Sequence, residues 1–237
     1  MLATRVVSAA ILIPLVALAV YWGGYALLAA VTLAALLACW EYLALVQQRP
    51  GVAPWRPVAL VATLLFLAEA QWPHLASLRA LLASLPFILL VREVFRANRP
   101  ASLESWALGL AGPLYIGGSL GHFLRLRTLD QGLEWLALAL LSTWICDTGA
   151  YFVGRAWGRR RFFPAISPKK TWEGALGGLL SGVAAAMALG WWLLALPLWE
   201  GALLGVLISL AATFGDLAES VIKRQVGVKD SSQLIPG

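Results

Sequence analysis

Residues 133–153 read LEWLALALLSTWICDTGAYFV, an apolar run interrupted by carboxylates only at Glu134 and, near its far end, at Asp147. Roughly 20 such residues cross a hydrocarbon core as one helix. The run is rich in Leu and Ala and has no period-2 alternation, which argues against a strand. Inside lipid the backbone polar groups must be satisfied within the segment, and a helix does that. Working outward, similar runs occupy residues 6–22, 25–46, 57–70, 78–91, 106–124, 174–198 and 202–222. The third and fourth runs are the shortest. The first carries Arg5 ahead of its apolar stretch, as a secretory signal does. A second long run begins directly after Gly23 and Gly24, however, so a helical hairpin retained in the protein explains both better.

Composition agrees. Of 237 residues, 60% are hydrophobic and 13% charged, with a mean hydropathy of +0.79. A soluble domain carries about a quarter charged residues, and one of this length could not hide so much apolar surface. The expected fold class is therefore all-α: a polytopic integral membrane bundle of about eight transmembrane helices. No polar linker divides it. The expectation is one membrane domain over 1–237, with amino-terminal helices in 1–130 and motif-bearing helices and a cytoplasmic loop in 131–237.

Basic residues orient the bundle. With eight crossings and a cytoplasmic amino terminus, only Arg79, Arg125 and Arg127 of the 18 Lys and Arg fall outside. That asymmetry follows the positive-inside rule. The net charge of +6 then describes a membrane face suited to anionic headgroups and phosphates. The charges are dispersed among spans, so nucleic acid is not expected as a partner. Trp22, Trp55, Trp72, Trp106 and Trp199 sit near helix ends and suit an aromatic belt. Cys39 and Cys146 lie far apart in apolar runs and read as small packing residues; His74 and His122 are isolated.

Three clusters carry the chemistry. Asp147 lies inside the sixth run, where an ionised carboxylate is costly unless it faces protein, a cation or water. Next comes Arg159-Arg160-Arg161, followed by Ser167-Pro168-Lys169-Lys170-Thr171-Trp172-Glu173-Gly174. Ser167 and Pro168 suit a helix N-cap and first turn, with Thr171 as the alternative cap. A helix start flanked by two lysines is an anion site, most naturally for phosphate. Gly174, Gly178 and Gly182 recur every fourth residue, as in closely packed membrane helices. Last, helical spacing gathers Asp216, Glu219, Ser220, Lys223 and Arg224 near one face. Carboxylates suit Mg²⁺ in company with phosphate oxygens; Lys and Arg suit the phosphates themselves. The bland alternative, a Glu219–Lys223 pair at i,i+4, leaves Asp216 unexplained.

Ser220-Val221-Ile222-Lys223-Arg224, then four residues, then Lys229-Asp230-Ser231-Ser232-Gln233-Leu234-Ile235-Pro236-Gly237, resembles the carboxy-terminal signature of the phosphatidate cytidylyltransferases (CDP-diacylglycerol synthases). The Ser167–Thr171 run with Glu173-Gly174, and Asp147-Thr148-Gly149-Ala150-Tyr151 upstream, are similar to that family in order and spacing. The family's signature continues into His-Gly-Gly and an Asp-Arg-x-Asp element, whereas this chain stops at Gly237; the resemblance thus implies a carboxy-terminally truncated chain with an incomplete site. It further implies that CTP and phosphatidic acid give CDP-diacylglycerol and pyrophosphate, in phospholipid biosynthesis at a bacterial inner membrane, with the active face cytoplasmic. By the same resemblance Asp147, Asp216 and Asp230 hold Mg²⁺, with room for a second cation. Ser167, Lys169, Lys170, Thr171, Lys223, Arg224 and Lys229 bind substrate phosphates. Asp147, Asp216, Lys223, Arg224 and Asp230 form the catalytic set, and Glu173 and Glu219 stand behind them. CTP, phosphatidic acid and membrane lipid are the expected partners, with a homodimer left open. Two rival readings also stay open: a CTP-dependent lipid-alcohol kinase, and an ion-coupled transporter using Asp147 and Asp216.

Overall fold

A computed structural model describes residues 2–96 and 100–228. The chain divides into two compact units, one through residue 129 and one from residue 130 onward.

The first unit holds five helices: α1 (Leu2–Trp22), α2 (Gly24–Val46), α3 (Arg56–Gln71), α4 (Ala76–Val94) and α5 (Ser102–Thr128). The α1–α2 corner turns at Gly23, whose φ of 64° is the left-handed region that glycine adopts freely. Cys39 and Leu43 of α2 and Ala59 of α3 are fully buried in this unit's core, with Tyr42, Leu60 and Ile116 packed around them. Tyr42 also donates its hydroxyl to the Leu108 carbonyl, 3.2 Å away. Both cysteines are free and buried.

The second unit runs α6 (Gly132–Trp157), β1 (Arg161–Phe163), β2 (Ser167–Thr171), α7 (Trp172–Leu194) and α8 (Leu198–Gln225). Small residues hold its helices close. Gly174, Gly178 and Gly182 of α7 are all buried. A Cβ on Gly178 would lie 2.9 Å from the Ala150 Cβ of α6, and one on Gly182 only 2.2 Å from Ser209 Oγ of α8. The four-residue glycine repeat is a packing seam.

Helix boundaries follow the apolar runs except in one place. The seventh run reads as continuous to residue 198, yet α7 stops at Leu194. Ala195 takes a left-handed conformation, with φ 51° and ψ 30°, and Pro197, which has no N–H, stands as the N-cap of α8. The chain reverses there, and α8 starts at Leu198 rather than at Ala202. Among the described residues, four helices are long and apolar enough to cross a membrane: α2, α6, α7 and α8; 12–22 is a shorter apolar stretch. This is a multi-pass helical membrane protein. α3 has 16 residues, short for a crossing, and α4 has 19 with Pro86 inside it.

Candidate active site

Local sequence decides the segment between α6 and α7. Ser167 precedes a proline, which disfavours helical geometry at that residue, and Phe162, Phe163, Ile166 and Thr171 favour extended backbone. The result is an antiparallel hairpin in which Arg161 faces Thr171 and Phe163 faces Ser167. The Ile166 N–H donates to the Phe163 carbonyl at 3.1 Å and closes the turn. Phe162 meets Trp172 edge to face at 4.3 Å. Gly158 makes the exit from α6 feasible: a Cβ there would sit 2.2 Å from the Gly154 carbonyl and 2.7 Å from Thr171 Oγ1.

This corrects the expected cap. Ser167 and Pro168 lie in β2, where an edge strand tolerates proline. Thr171 is the N-cap of α7, its Oγ1 accepting from the Gly174 N–H at 3.2 Å. Glu173 occupies the first turn and turns back on the hairpin, accepting from the N–H groups of Arg159 (3.0 Å) and Arg160 (3.2 Å). The positive end of the α7 dipole is thus already met by a carboxylate of the same helix, so the two lysines are not first-turn residues beside an empty helix start.

They sit instead on a strand, where successive side chains point to opposite sides. Lys169 is exposed, and its ammonium has no partner among the described residues. Lys170 is half-buried and places Nζ 2.5 Å from Asp216 Oδ2 on α8. Asp147, exposed on α6, lies within electrostatic reach of both Asp216 and Lys170. A carboxylate of α8 and a lysine of the hairpin therefore meet, with the α6 carboxylate within electrostatic range of both. Asp216 remains 57% exposed, which leaves it open to a ligand.

The rest of the α8 stripe is more committed. Lys223 pairs with Glu219 at 2.6 Å, the i,i+4 contact expected of that spacing. Arg224 donates Nε to the Ile166 carbonyl at 3.3 Å and Nη1 to the Val228 carbonyl at 3.0 Å, so it holds the hairpin turn against the end of α8. Lys229 and Asp230 lie outside the described residues. The anchoring work of Glu173 and Arg224 was not readable from spacing, because Glu173 acts on backbone N–H groups ahead of β1 and Arg224 on a turn carbonyl 58 residues back. The hairpin left one faint signal: paired aromatics and a proline turn between two basic runs.

The donor set is compatible with Mg²⁺. No group of three or more His, Cys, Asp or Glu side chains occurs among the described residues, which disfavours an all-protein metal cage. Mg²⁺ is commonly held by one or two carboxylates, the remaining positions falling to waters and substrate phosphates, and Asp147 with Asp216 supply that number.

A family model described as the cytidylyltransferase family matches residues 3–237. The phosphatidate cytidylyltransferase of Staphylococcus haemolyticus is 32% identical over 246 aligned residues, spanning 99% of this chain and 88% of that protein. Those of Staphylococcus epidermidis and Staphylococcus aureus are each 33% identical over 181 residues, 76% of this chain and 68% of theirs.

Proposed function

The chain belongs to the cytidylyltransferase family, and from that premise we propose that the Asp147–Asp216–Lys170 cluster is where it transfers CMP from CTP to phosphatidic acid. The chain is an enzyme of the nucleotidyltransferase type acting in phospholipid biosynthesis. A phosphate oxygen of the lipid attacks the α-phosphorus of CTP; the bond to the β-phosphate oxygen breaks, and CDP-diacylglycerol and pyrophosphate result. The protein has little covalent work in such a reaction. It positions two polyanions and offsets charge as it develops.

On this reading Asp147 and Asp216 would hold Mg²⁺, which when bound supplies neutralising charge to the phosphates. Lys170 holds Asp216 in place until substrate arrives, and is itself a phosphate ligand once that pair opens. Lys169, exposed on β2, is the readiest phosphate contact. Thr171 and Glu173 hold the hairpin so that both lysines keep their sides. Ser167, Lys223, Arg224, Lys229 and Asp230 complete the proposed site, with Arg224 serving first as the hairpin's anchor. The observation that carries the proposal is the Lys170–Asp216 pair with Asp147 in range: a charged, half-open cluster in the carboxy-terminal halves of two apolar helices. The finer topology belongs to the same proposal: eight crossings, the amino terminus and the active face in the cytoplasm of a bacterial inner membrane, supported by the sidedness of the basic residues.

The test is Asp216→Asn, assayed in membranes with CTP labelled at the α-phosphate. We expect Mg²⁺-dependent transfer of label to lipid to be lost while the protein still accumulates in membranes. Near-normal transfer would remove Asp216 from the metal role, and label that stays in the nucleotide pool while lipid gains unlabelled phosphate would point to a kinase.

A further inference from the structure

A second place in the molecule bears cations beside an apolar surface, within the first unit. The end of α4 and the start of α3 enclose an open groove of about 620 Å³ lined by Trp55, Ile88, Val91, Arg92, Phe95 and Arg96. Its apolar rim is exposed: Val91 is 56% and Phe95 86% accessible. The two guanidiniums at its head are held with unusual economy. Both Arg92 and Arg96 use Nη1 alone, each donating to the Ala53 carbonyl at 3.0 Å and to Glu93 at 2.7 and 3.4 Å. Glu93 is buried. A guanidinium has five N–H donors, and on both residues the Nε and Nη2 edge, the one that forks onto a carboxylate or phosphate, carries no hydrogen bond among the described residues. Arg92 is further fixed over the Trp55 ring, 5.5 Å from its centroid. Two arginines against one glutamate leave the cluster one net positive charge.

We infer that this groove binds one anionic phospholipid, its phosphate on the free edges of Arg92 and Arg96 and an acyl chain along Ile88, Val91 and Phe95. Charge complementarity selects the occupant. Apart from the guanidiniums the lining is apolar, so a soluble anion would gain little from it, whereas a lipid presents both halves together. Acyl chains find similar surroundings in the bilayer, so the selectivity resides in the phosphate. This inference is independent of where CMP transfer occurs.

Native mass spectrometry of the purified protein, equilibrated with equal amounts of phosphatidylglycerol and phosphatidylcholine, reads the site without any turnover. The expected result is one phosphatidylglycerol retained about tenfold better than phosphatidylcholine, the size of one charge-assisted contact. The double variant Arg92→Lys, Arg96→Lys keeps both charges for Glu93 but loses the forked edge, and should lower that retention by about tenfold. Ile88→Trp, on the rim and clear of the ion pairs, should reduce it by filling the groove, with an unchanged melting temperature showing that the fold is intact. Equal retention of the two lipids, retention unaltered in both variants, or displacement of the bound lipid by millimolar inorganic phosphate would overturn the inference.

Discussion

Glu93 and Glu69 in the first unit serve an opposite purpose from Asp147 and Asp216 in the second. In the first, Glu93 is 6% exposed and is shared by Arg92 and Arg96, whose Nη1 atoms also close on the Ala53 carbonyl. Ser105, 2% exposed, accepts from the Ala53 N–H and donates to the Ala101 carbonyl. Glu69, 12% exposed, is likewise held by Arg79 and Arg125. In the second unit Asp216 is more than half exposed and pairs, among the described residues, with one lysine, and Asp147 is exposed as well. A buried charge must be fully paired, because removing one partner strands the other in a medium that solvates it poorly. An exposed pair is weak and exchangeable. Carboxylates of the first kind brace a structure; those of the second are free to change partners when a phosphate or a metal arrives.

Glu93→Ala tests the contrast hardest. Breaking the buried cluster should cost about 3–5 kcal/mol of stability, seen as a large drop in the melting temperature of the detergent-solubilised protein; an unaltered melt would erase the distinction between the units. Lys170→Ala should do the reverse, lowering CMP transfer by about 10²–10³-fold, the range for losing one preorganised electrostatic contact, with little change in melting temperature. A variant that loses stability in proportion to activity would make Lys170 another brace. Thr171→Ala removes the α7 cap at a cost of about 1 kcal/mol, and Thr171→Ser should restore most of it. If both melt alike, the cap does not hold the hairpin. Smallest of all, Glu219→Gln should shift stability by only a few tenths of a kcal/mol, since Lys223 and Glu219 meet on an accessible helix face; a larger shift would place that pair among the braces.

Much of this was legible in the residues. All eight apolar runs fold as helices, because the length and hydrophobicity that let a segment span lipid are local properties. Asp147 and Asp216 stood out because a carboxylate in an apolar run needs a reason. The α7–α8 turn was harder: nothing in the apolar count marks the point where Ala195 enters the left-handed region. The loop ahead of the seventh run offers two helix caps, Ser167 before Pro168 and Thr171; the restriction that proline places on Ser167 and the aromatics beside it favour a hairpin instead, and Thr171 is left as the cap.

Composition and period, then, were enough for a helical membrane protein with acidic residues set against cations, since each helix satisfies its own backbone wherever the others lie. Which lysine meets which carboxylate was settled only in three dimensions. Strand alternation sends Lys170 toward Asp216 and Lys169 away from it, and the glycine seam of α7 lets α6 and α8 come close enough for Asp147 to sense both. Those distances depend on contacts between residues far apart in the chain, and no local pattern encodes them.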